Sequence, residues 1–399
     1  MKTTFLRHLK TEMASFTVFR PLLSDGVIKA LYDYMSALDT TDQSVSVLAY
    51  SDFVSRLYEA NGGNLSLYVD GACGGCENIY VKLVGRGERV PNHIEESVEH
   101  ELDILNSIAA LTSEQLCAQL EWDGFLPGFV SENVDIAENF KSRIKDIGKY
   151  GYGKYAMNRM FCIDRGGKII PVKNPDESTL DSFVGYKRER GLVVENTKAL
   201  LCGKPAANIL LTGDAGTGKS TTVKAVGNAF YSEGLRIIEV RKEQIQVIPE
   251  ILDELAQNPL KFILFIDDLS FLDGEDFNGL KAILEGSVSA RSKNVVIYAT
   301  SNRRHIVKES FSDRDGDDIH RNDTMQELIS LSDRFGLHIS FGRPDKKTYL
   351  EIVKNVAVQN GIKLPDNELE SQAERFALER GGRSARLAKQ FVDSLMSKK

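Results

Sequence analysis

The sequence lacks the features that mark membrane and secreted proteins. No apolar stretch approaches the roughly 18 consecutive residues of a membrane-spanning helix, and the start MKTTFLRHLKTEMASF has no unbroken apolar core followed by small residues. Cysteine is scarce, and the five cysteines show no framework spacing, as is typical of reduced intracellular thiols. We therefore expect a cytoplasmic protein with no membrane partner.

An excess of basic charge is also missing. With 57 acidic and 50 basic residues, the chain has a formal net charge of −7. This balance argues against a protein whose whole surface is built to hold nucleic acid, although a local basic patch could be hidden in the average. A length of 399 residues leaves room for two or three domains, each with its own core.

Two of the cysteines, Cys73 and Cys76, form the short motif CGGC. Such a pair could be a redox couple or half of a zinc site. No second pair of Cys or His follows at the spacing of a zinc ribbon, so the sequence favours two ordinary thiols in a loop.

The pattern of apolar residues changes along the chain and predicts four regions. Residues 1–150 show helical periodicity, clearest in HIEESVEHELDILNSIAALTSEQL, and are expected to form a mostly helical domain. Glycine and proline in residues 151–180 indicate a linker. Residues 181–343 alternate apolar strand, turn and helix, which predicts a parallel sheet covered by helices. Residues 344–399 show three helical segments, which indicate a small helical lid.

A glycine-rich segment carries the clearest chemical signal. The run NILLTGDAGTGKST fits the pattern G-x-x-x-x-G-K-[ST] and lies between an apolar strand and a helical stretch. In such a loop, backbone N–H groups hold phosphate, Lys219 reaches the outer phosphates, and the Ser220 hydroxyl ligates magnesium. The sequence therefore predicts binding of ATP and Mg²⁺ by Gly213, Asp214, Ala215, Gly216, Thr217, Gly218, Lys219, Ser220 and Thr221.

A second apolar run, FILFIDDLSF, ends in two adjacent carboxylates. Its composition indicates a strand buried on both faces, where a charge needs a partner. In P-loop proteins a carboxylate at the end of a second buried strand contacts the magnesium, and we expect Asp267 to do so. Asp268 is then placed to polarise the attacking water as a general base. The alternative is that both residues cap the next helix.

Three further polar residues stand at the borders of later elements. Asn302 ends the strand NVVIYATSN, where its amide could orient the water or contact the γ-phosphate. Arg334 precedes a fourth strand in LISLSDRFGLHISF, and Arg383 begins the last helix in ERGGRSARLAKQFV. Taken singly, each fits a turn or a solvated surface as well as a functional site.

Together, and in this order, these segments resemble the AAA+ ATPases over about residues 175–399. The resemblance implies an α/β fold, in which a P-loop parallel sheet carries a small C-terminal helical lid. In this chain a mostly helical N-terminal domain precedes it.

The resemblance also implies roles for individual residues. LDSFVGY, with Val184 and Gly185, would line the adenine pocket. Asn302 would be the first sensor of the nucleotide and Arg383 in the lid the second. Arg334 would be an arginine finger that acts on the nucleotide of a neighbouring subunit, in a ring or spiral of identical chains.

A closer resemblance is to the bacterial AAA+ proteins grouped as domain of unknown function 815. It rests on VENTKALLCGKPAANILLTGDAGTGKSTTVKA, GLRIIEV, FILFIDDLSF, YATSNRRH and ISLSDRFG, and extends to the N-terminal helical region. Most AAA+ proteins have Glu where this chain has Asp268, whereas helicase loaders of the DnaC and IstB type also carry two Asp. The shorter side chain implies slow hydrolysis that a partner stimulates.

Three functions are compatible with these motifs. We favour an oligomeric ATPase that remodels or assembles a protein client, recognised by the N-terminal domain. The second is a loader or translocase on nucleic acid, for which Arg303 and Arg304 would supply charge but which the acidic balance disfavours. The third is a slow nucleotide-dependent switch, which the complete catalytic set disfavours. The interval RKEQIQVIPEILDELAQNPLK has no aromatic residue or glycine, so a pore loop of the unfoldase type is not expected.

Overall fold

The computed structural model describes residues 2–182, 184–269, 280, 283–284, 293–302 and 333–397. Arg303 and Arg304, and Phe183 of the expected adenine pocket, lie outside the described residues. The chain divides into two compact units, Met1–Met157 and Asn158–Lys399. No helix in the described ranges is long and apolar enough to cross a membrane.

The first unit is mostly helical, as the sequence predicts. Its helices are α1 (Lys2–Ala14), α2 (Gly26–Ala37), α3 (Gln43–Asn61), α4 (Leu65–Gly75), α5 (Ile79–Gly85), α6 (Asn92–Ala109), α7 (Ser113–Cys117), α8 (Ile136–Lys145), α9 (Ile147–Tyr150) and α10 (Lys154–Met157), with a 3₁₀ turn at Arg20–Ser24.

Local sequence signals set the ends and faces of these helices. Asp25 caps the start of α2 by accepting hydrogen bonds from the N–H groups of Val27 and Ile28. Gly62 ends α3 in the left-handed conformation with φ of 77°. The predicted periodicity of α6 is confirmed, because one of its faces buries Val98, Leu102, Leu105 and Ile108.

The first unit has a hydrophobic core of its own, which includes the rings of Phe19, Tyr34 and Phe53. One carboxylate is buried with it: Glu101 accepts hydrogen bonds of 2.7 Å from the backbone N–H groups of Thr17 and Phe19. These bonds fix the turn that follows α1, since a buried carboxylate requires such donors.

The two cysteines of the CGGC motif lie at the end of α4 rather than in a loop, and both are buried. Cys73 lies within the helix, and Cys76 follows it with its N–H donating to the Cys73 carbonyl at 3.1 Å. Burial raises the pKa of the Cys73 thiol well above its usual value and that of Cys76 to about 11. Both shifts favour the protonated thiol over the thiolate, which is the nucleophilic form.

The second unit is built on a sheet whose strands are β1 (Met160–Ile163), β2 (Ile169–Pro171), β3 (Ile209–Gly213), β4 (Leu235–Val240), β5 (Lys261–Ile266), β6 (Val295–Ser301) and β7 (Leu337–Phe341). In the described residues the strand order is β2-β1-β4-β5-β6-β3-β7, and only the β1–β2 pair is antiparallel. The predicted parallel sheet is confirmed, and β5 is buried along nearly its whole length.

Helices cover this sheet, as its burial on both faces requires. They are α11 (Lys187–Leu201), α12 (Lys219–Ala229) and α13 (Ile248–Ala256), with 3₁₀ turns at Leu180–Ser182, Tyr231–Glu233 and Lys242–Val247. Pairing of β3 with both β6 and β7 places the strand before the glycine-rich loop inside the sheet.

The stretch expected to be a linker, 151–180, differs from that expectation, because it contains β1 and β2. β1 pairs in parallel with β4, and Phe161 within it is fully buried. β1 has four residues and β2 three, and both lie among glycines and polar residues. The sequence therefore shows no clear alternation of apolar and polar residues there. Part of the expected linker thus belongs to the sheet of the second unit.

A helical segment follows β7 and forms the predicted lid. The first lid helix is Lys346–Gln359, the second Asp366–Glu379 and the third Ala385–Met396. Their apolar faces enclose a small core of their own, which includes Tyr349, Ala373 and Phe391, and Val184 packs against it from outside the lid.

Candidate functional site

The glycine-rich loop joins β3 to α12 and needs glycine where the backbone turns. Gly213, Gly216 and Gly218 have φ of 139°, 77° and 93°, a region that strains other residues. At Gly213 a Cβ atom would also lie 2.1 Å from the carbonyl oxygen of Phe341, the last residue of β7. Gly213 therefore needs to be glycine for two reasons, the positive φ of the turn and the close approach of β7.

Lys219 is the first residue of α12, and its side chain is buried beneath the loop. Its ammonium donates hydrogen bonds to the carbonyls of Gly213 at 2.8 Å and Asp214 at 2.9 Å, and to Asn302 Oδ1 at 3.1 Å. Burial lowers the pKa of Lys219, and the charges of Asp267, Asp214 and Asp268 oppose that shift. The lysine is thus held in place by three acceptors at the loop.

Asp267, at the end of β5, is the centre of a cluster of short hydrogen bonds. Ser220 Oγ and Thr300 Oγ1 both donate to Asp267 Oδ1 at 2.6 Å, and the Asp268 N–H donates to the same oxygen at 3.1 Å. The structure brings together the two residues that the sequence predicted as magnesium ligands, Ser220 and Asp267.

Asp268 is exposed, and its backbone is left-handed, with φ of 53°. Asp is one of the few residues other than glycine that tolerate this conformation. Its N–H donates to Thr300 Oγ1 at 2.9 Å, and its Oδ1 accepts from Asn302 Nδ2 at 2.6 Å. The residues that follow Leu269, where the two carboxylates would alternatively cap the next helix, lie outside the described residues.

Asn302 follows β6 and forms hydrogen bonds with both Lys219 and Asp268. Its Oδ1 accepts from Lys219 while its Nδ2 donates to Asp268, so one amide contacts both the lysine of the loop and the predicted base. Because β3, β5 and β6 are parallel neighbours, the residues after each strand meet at one edge of the sheet.

Thr300 was missed from the sequence, although it contacts both Asp267 and the Asp268 N–H. It lies on β6 two residues before Asn302, and residues two apart in a strand share a face. This spacing of two residues from Asn302 was the signal in the sequence that could have identified Thr300. A buried threonine in an apolar strand otherwise gives no sign of a polar partner.

Arg343 was also missed. It follows β7 at the start of the lid, and its Nε donates to Asp214 Oδ2 in the glycine-rich loop. The preceding residue, Gly342, accepts a hydrogen bond of 2.6 Å from the Tyr186 hydroxyl. The segment between sheet and lid is thus tied to the loop and to the segment before α11.

The two residues expected at the adenine pocket lie between α11 and the lid. Val184 packs against the lid core, and Gly185 has φ of 79° with a side-chain atom of Thr348 2.8 Å from where its Cβ would be. Arg190 of α11 donates to the Gly185 carbonyl, which fixes this segment.

The two arginines predicted from the sequence do not reach the cluster. Arg383 makes a bidentate pair with Glu374 of the second lid helix, with Nε–Oε1 of 2.9 Å and Nη2–Oε2 of 2.8 Å. Arg334 is half-buried in the turn before β7, at the amino ends of the parallel strands and therefore at the sheet edge opposite the loop.

Residues 156–399 match the family model described as protein of unknown function (DUF815). The chain belongs to this family. The match begins two residues before the second unit, so the family domain and that unit are nearly the same segment.

Among solved structures, the chain is similar to the RuvB Holliday junction branch migration motor of Thermotoga maritima, with 18% identity and a TM-score of 0.38 over 55% of this chain and 64% of that one. Two variants of the same protein give TM-scores of 0.38 and 0.39, each at 18% identity over 55% of this chain. The chain thus spans slightly less than two thirds of these relatives, 64% and 65% of the two variants.

Proposed function

We propose that the second unit binds ATP with magnesium and hydrolyses it to ADP and phosphate. The observation that carries the proposal is the hydrogen bond of 2.6 Å between Ser220 Oγ and Asp267 Oδ1, made beside the buried Lys219. A hydroxyl from the helix after a glycine-rich loop and a carboxylate from the end of a parallel strand converge there. P-loop proteins use this convergence to bind a triphosphate together with a metal ion.

The residues present fit magnesium and a polyphosphate. Magnesium prefers oxygen ligands, and Ser220 and Asp267 supply a hydroxyl and a carboxylate oxygen. Gly218 leaves the backbone of the loop open, since no atom lies within 4 Å of where its Cβ would be, so N–H groups of the loop can approach phosphate. When bound, magnesium would neutralise charge that develops on the phosphates.

Hydrolysis then depends on how the chain handles one water molecule. Asp268 accepts a proton from the water as the water oxygen bonds to the γ-phosphorus, and the bond from that phosphorus to the bridging oxygen breaks, releasing ADP. Asn302 holds the Asp268 carboxylate in position through its 2.6 Å hydrogen bond. Lys219, released from its loop carbonyls, supplies positive charge to the outer phosphates.

The remaining assignments extend this proposal to an assembly. Arg334 acts on the nucleotide of a neighbouring copy, consistent with its place at the edge of the sheet opposite its own loop. Val184 and Gly185 contact the adenine, and Arg383 belongs to the lid that covers it. The helical first unit recognises a protein client, whose remodelling or assembly uses the hydrolysis.

The proposed ATPase activity is tested by measuring ATP binding and phosphate release on the same preparations. Lys219→Ala should abolish binding, because it removes the buried cation of the loop. Asp268→Asn should keep binding and lower turnover by roughly 10²-fold or more. Equal loss of binding in both variants would remove Asp268 from the role of base.

The same assay separates the three functions. Stimulation by single-stranded DNA that falls steeply with salt would favour a loader on nucleic acid. An oligomer that binds ATP but shows no turnover under any condition would favour a switch. Affinity capture with Asp268→Asn in ATP, compared with Lys219→Ala, should retain the protein client of a remodelling factor.

A further inference from the structure

A loop in the first unit carries two aromatic side chains that are open to solvent. It comprises residues 121–130, EWDGFLPGFV, lies between α7 and α8, and is called the aromatic loop below. Phe125 is 91% exposed and Trp122 is 52% exposed. Single exposed apolar residues are common on protein surfaces, whereas several that lie together mark a surface that binds another molecule.

The second half of the aromatic loop is fixed to the core of the first unit. The ring of Phe129 packs edge-on against that of Phe53, with 5.5 Å between their centroids. The Tyr50 hydroxyl donates a hydrogen bond of 2.7 Å to the carbonyl of Pro127. Phe125 therefore stands on an anchored stretch of chain and is still turned toward solvent.

Trp122 is held in place by its own loop. A Cβ atom at Gly124 would lie 2.4 Å from Trp122 Nε1, so the indole lies against the backbone of this glycine. A side chain at position 124 would displace the indole. The loop thus keeps the tryptophan ordered while about half of its surface stays open.

The apolar surface continues onto the segments that bind the aromatic loop. Tyr58, near the end of α3, donates to the carbonyl of Gly128 through its hydroxyl. The N–H of Val130 donates to the carbonyl of Gly63 at 2.8 Å. The side chains of Tyr58 and Val130 are both about half exposed, so four apolar side chains are displayed on the loop and on the helix to which it is bonded.

The charge around the aromatic loop is of one sign. Glu121 and Asp123, on either side of Trp122, are exposed, and the sequence has no Lys or Arg in residues 90–140. On α3 and α4 the one such residue is Arg56, which is paired with Asp52 at 2.8 Å. An apolar surface with acidic neighbours repels nucleic acid, anionic lipid and a second copy of itself, and attracts a basic partner.

We propose that the aromatic loop is the docking surface for the protein client, and that the client presents a segment in which Lys or Arg residues flank apolar side chains. Phe125 and Trp122 supply the apolar contact, and Glu121 and Asp123 pair with the basic residues of the client. This inference rests on the proposed recognition of a client by the first unit. It requires no nucleotide.

The fluorescence of Trp122 provides the test, because it is the only tryptophan in the chain. The probe is a short synthetic peptide of alternating Lys and Leu, titrated into the full-length protein. Emission should move to shorter wavelength and saturate as the indole is covered. A peptide of alternating Glu and Leu, and one of alternating Lys and Ser, should cause no shift.

Phe125→Ser should weaken binding of the Lys–Leu peptide by roughly 10- to 100-fold, because the ring no longer becomes buried on docking. Its melting curve should match that of the wild type, since the ring is exposed in the free protein. Phe5→Ser is the matched control, because Phe5 is an exposed phenylalanine on α1, and it should bind as the wild type does. Glu121→Gln combined with Asp123→Asn should weaken binding and reduce its dependence on salt.

Several results would overturn the inference: no shift with the Lys–Leu peptide, an equal shift with the Glu–Leu peptide, or wild-type affinity in Phe125→Ser. A shift that follows protein concentration alone would assign the surface to a second copy, and one caused by phosphatidylcholine vesicles would assign it to a membrane. Either of these also overturns it.

Two comparisons separate this inference from the proposed function. Lys219→Ala should lose ATP binding yet bind the Lys–Leu peptide as the wild type does, so the ATPase and the docking surface are tested independently. In affinity capture, Phe125→Ser added to Asp268→Asn should no longer retain the client. If the client is retained equally with and without Phe125→Ser, the client is recognised elsewhere, and the docking surface is wrong while the proposed function stands.

Discussion

The side-chain amide of Asn302 donates a hydrogen bond of 2.6 Å to Asp268, the residue proposed to take the proton of the attacking water. The same amide accepts from Lys219 through its oxygen, at 3.1 Å. One side chain therefore contacts both the proposed base and the cation of the loop. Changes at Asn302 should alter the chemistry more than the binding of ATP.

Asn302→Asp should lower turnover more than Asn302→Ala does. The substitution replaces the N–H that donates to Asp268 by a second carboxylate, and two like charges at this distance repel. Asp268 is therefore displaced as well as deprived of its donor, so turnover should fall further than in Asn302→Ala, which removes the donor without adding charge. Phosphate release by the two variants at the same pH measures the difference. Equal losses would show that only the donor matters.

Thr300→Val should lower turnover while leaving the fold intact. Valine has nearly the shape of threonine but cannot donate to Asp267 or accept from the Asp268 N–H, so both carboxylates lose a contact that positions them. We expect a loss of roughly 10-fold in turnover with ATP affinity changed by less. Thr197→Val is the control, because Thr197 is also buried and hydrogen-bonded but lies in α11, where it contacts Val193 and Tyr298. Equal losses in the two variants would point to a general effect of a buried hydroxyl.

Mixing two inactive variants should restore activity if Arg334 acts across subunits. Arg334→Ala keeps an intact nucleotide site but has no finger, and Lys219→Ala keeps the finger but has no working site. An arginine finger contributes about 10³- to 10⁵-fold to the rate, so each variant alone should release little phosphate. In a mixed oligomer a finger lies beside an intact site, and activity should return. Mixed oligomers that form and remain inactive would assign Arg334 a structural role at the subunit interface.

Fragments that begin on either side of β1 and β2 should differ in stability. Residues 158–399 retain both strands, whereas residues 172–399 lose them along with the buried side chains of Phe161 and Met160. Burial of each such side chain contributes about 1.5–3 kcal/mol, so loss of the two should lower the melting temperature of the shorter fragment by roughly 6–24 °C. Circular dichroism with temperature, and ATP binding by each fragment, provide the measurement. A fragment 158–399 that cannot fold would show that the first unit is needed for the core of the second.

The Arg383–Glu374 pair predicts a loss of stability in acid. Arg383 lowers the pKa of Glu374, so the folded state favours the carboxylate form more than the unfolded state does. The pair therefore stabilises the fold above the unfolded pKa of about 4.3, and this contribution disappears as pH falls through the lower folded pKa. Between about pH 5 and 3 the melting temperature of the wild type should fall further than that of Glu374→Gln. The two melting curves should converge at the acidic end.

Much of the site could be predicted because its chemistry is local in the sequence. Gly213, Lys219 and Ser220 lie within one short loop, and the charged end of an apolar strand marks Asp267. The parallel sheet then brings the ends of different strands to one edge by geometry alone. These features need no knowledge of distant packing.

The remaining features depend on contacts that no local pattern records. Arg383 and Arg386 lie on the same short segment, and only the placement of the lid decides which one faces the loop and which faces Glu374. Arg343 follows a strand as many surface arginines do, and its contact with Asp214 spans 129 residues. The short strands β1 and β2 are held by pairing, β1 with β4 and β2 with β1, so their own sequences carry little signal.

β2 has a consequence for the protein at the high concentrations of a crowded cell. It is the last strand on its side of the described sheet, it has only three residues, and it ends in Pro171, which has no N–H to offer. A short strand with proline is a poor template for a strand from another molecule. Because β1 covers the longer and more apolar β4 and β2 in turn covers β1, the two short strands protect β4 from edge-to-edge aggregation. The hairpin of β1 and β2 thus protects solubility as well as completing the sheet.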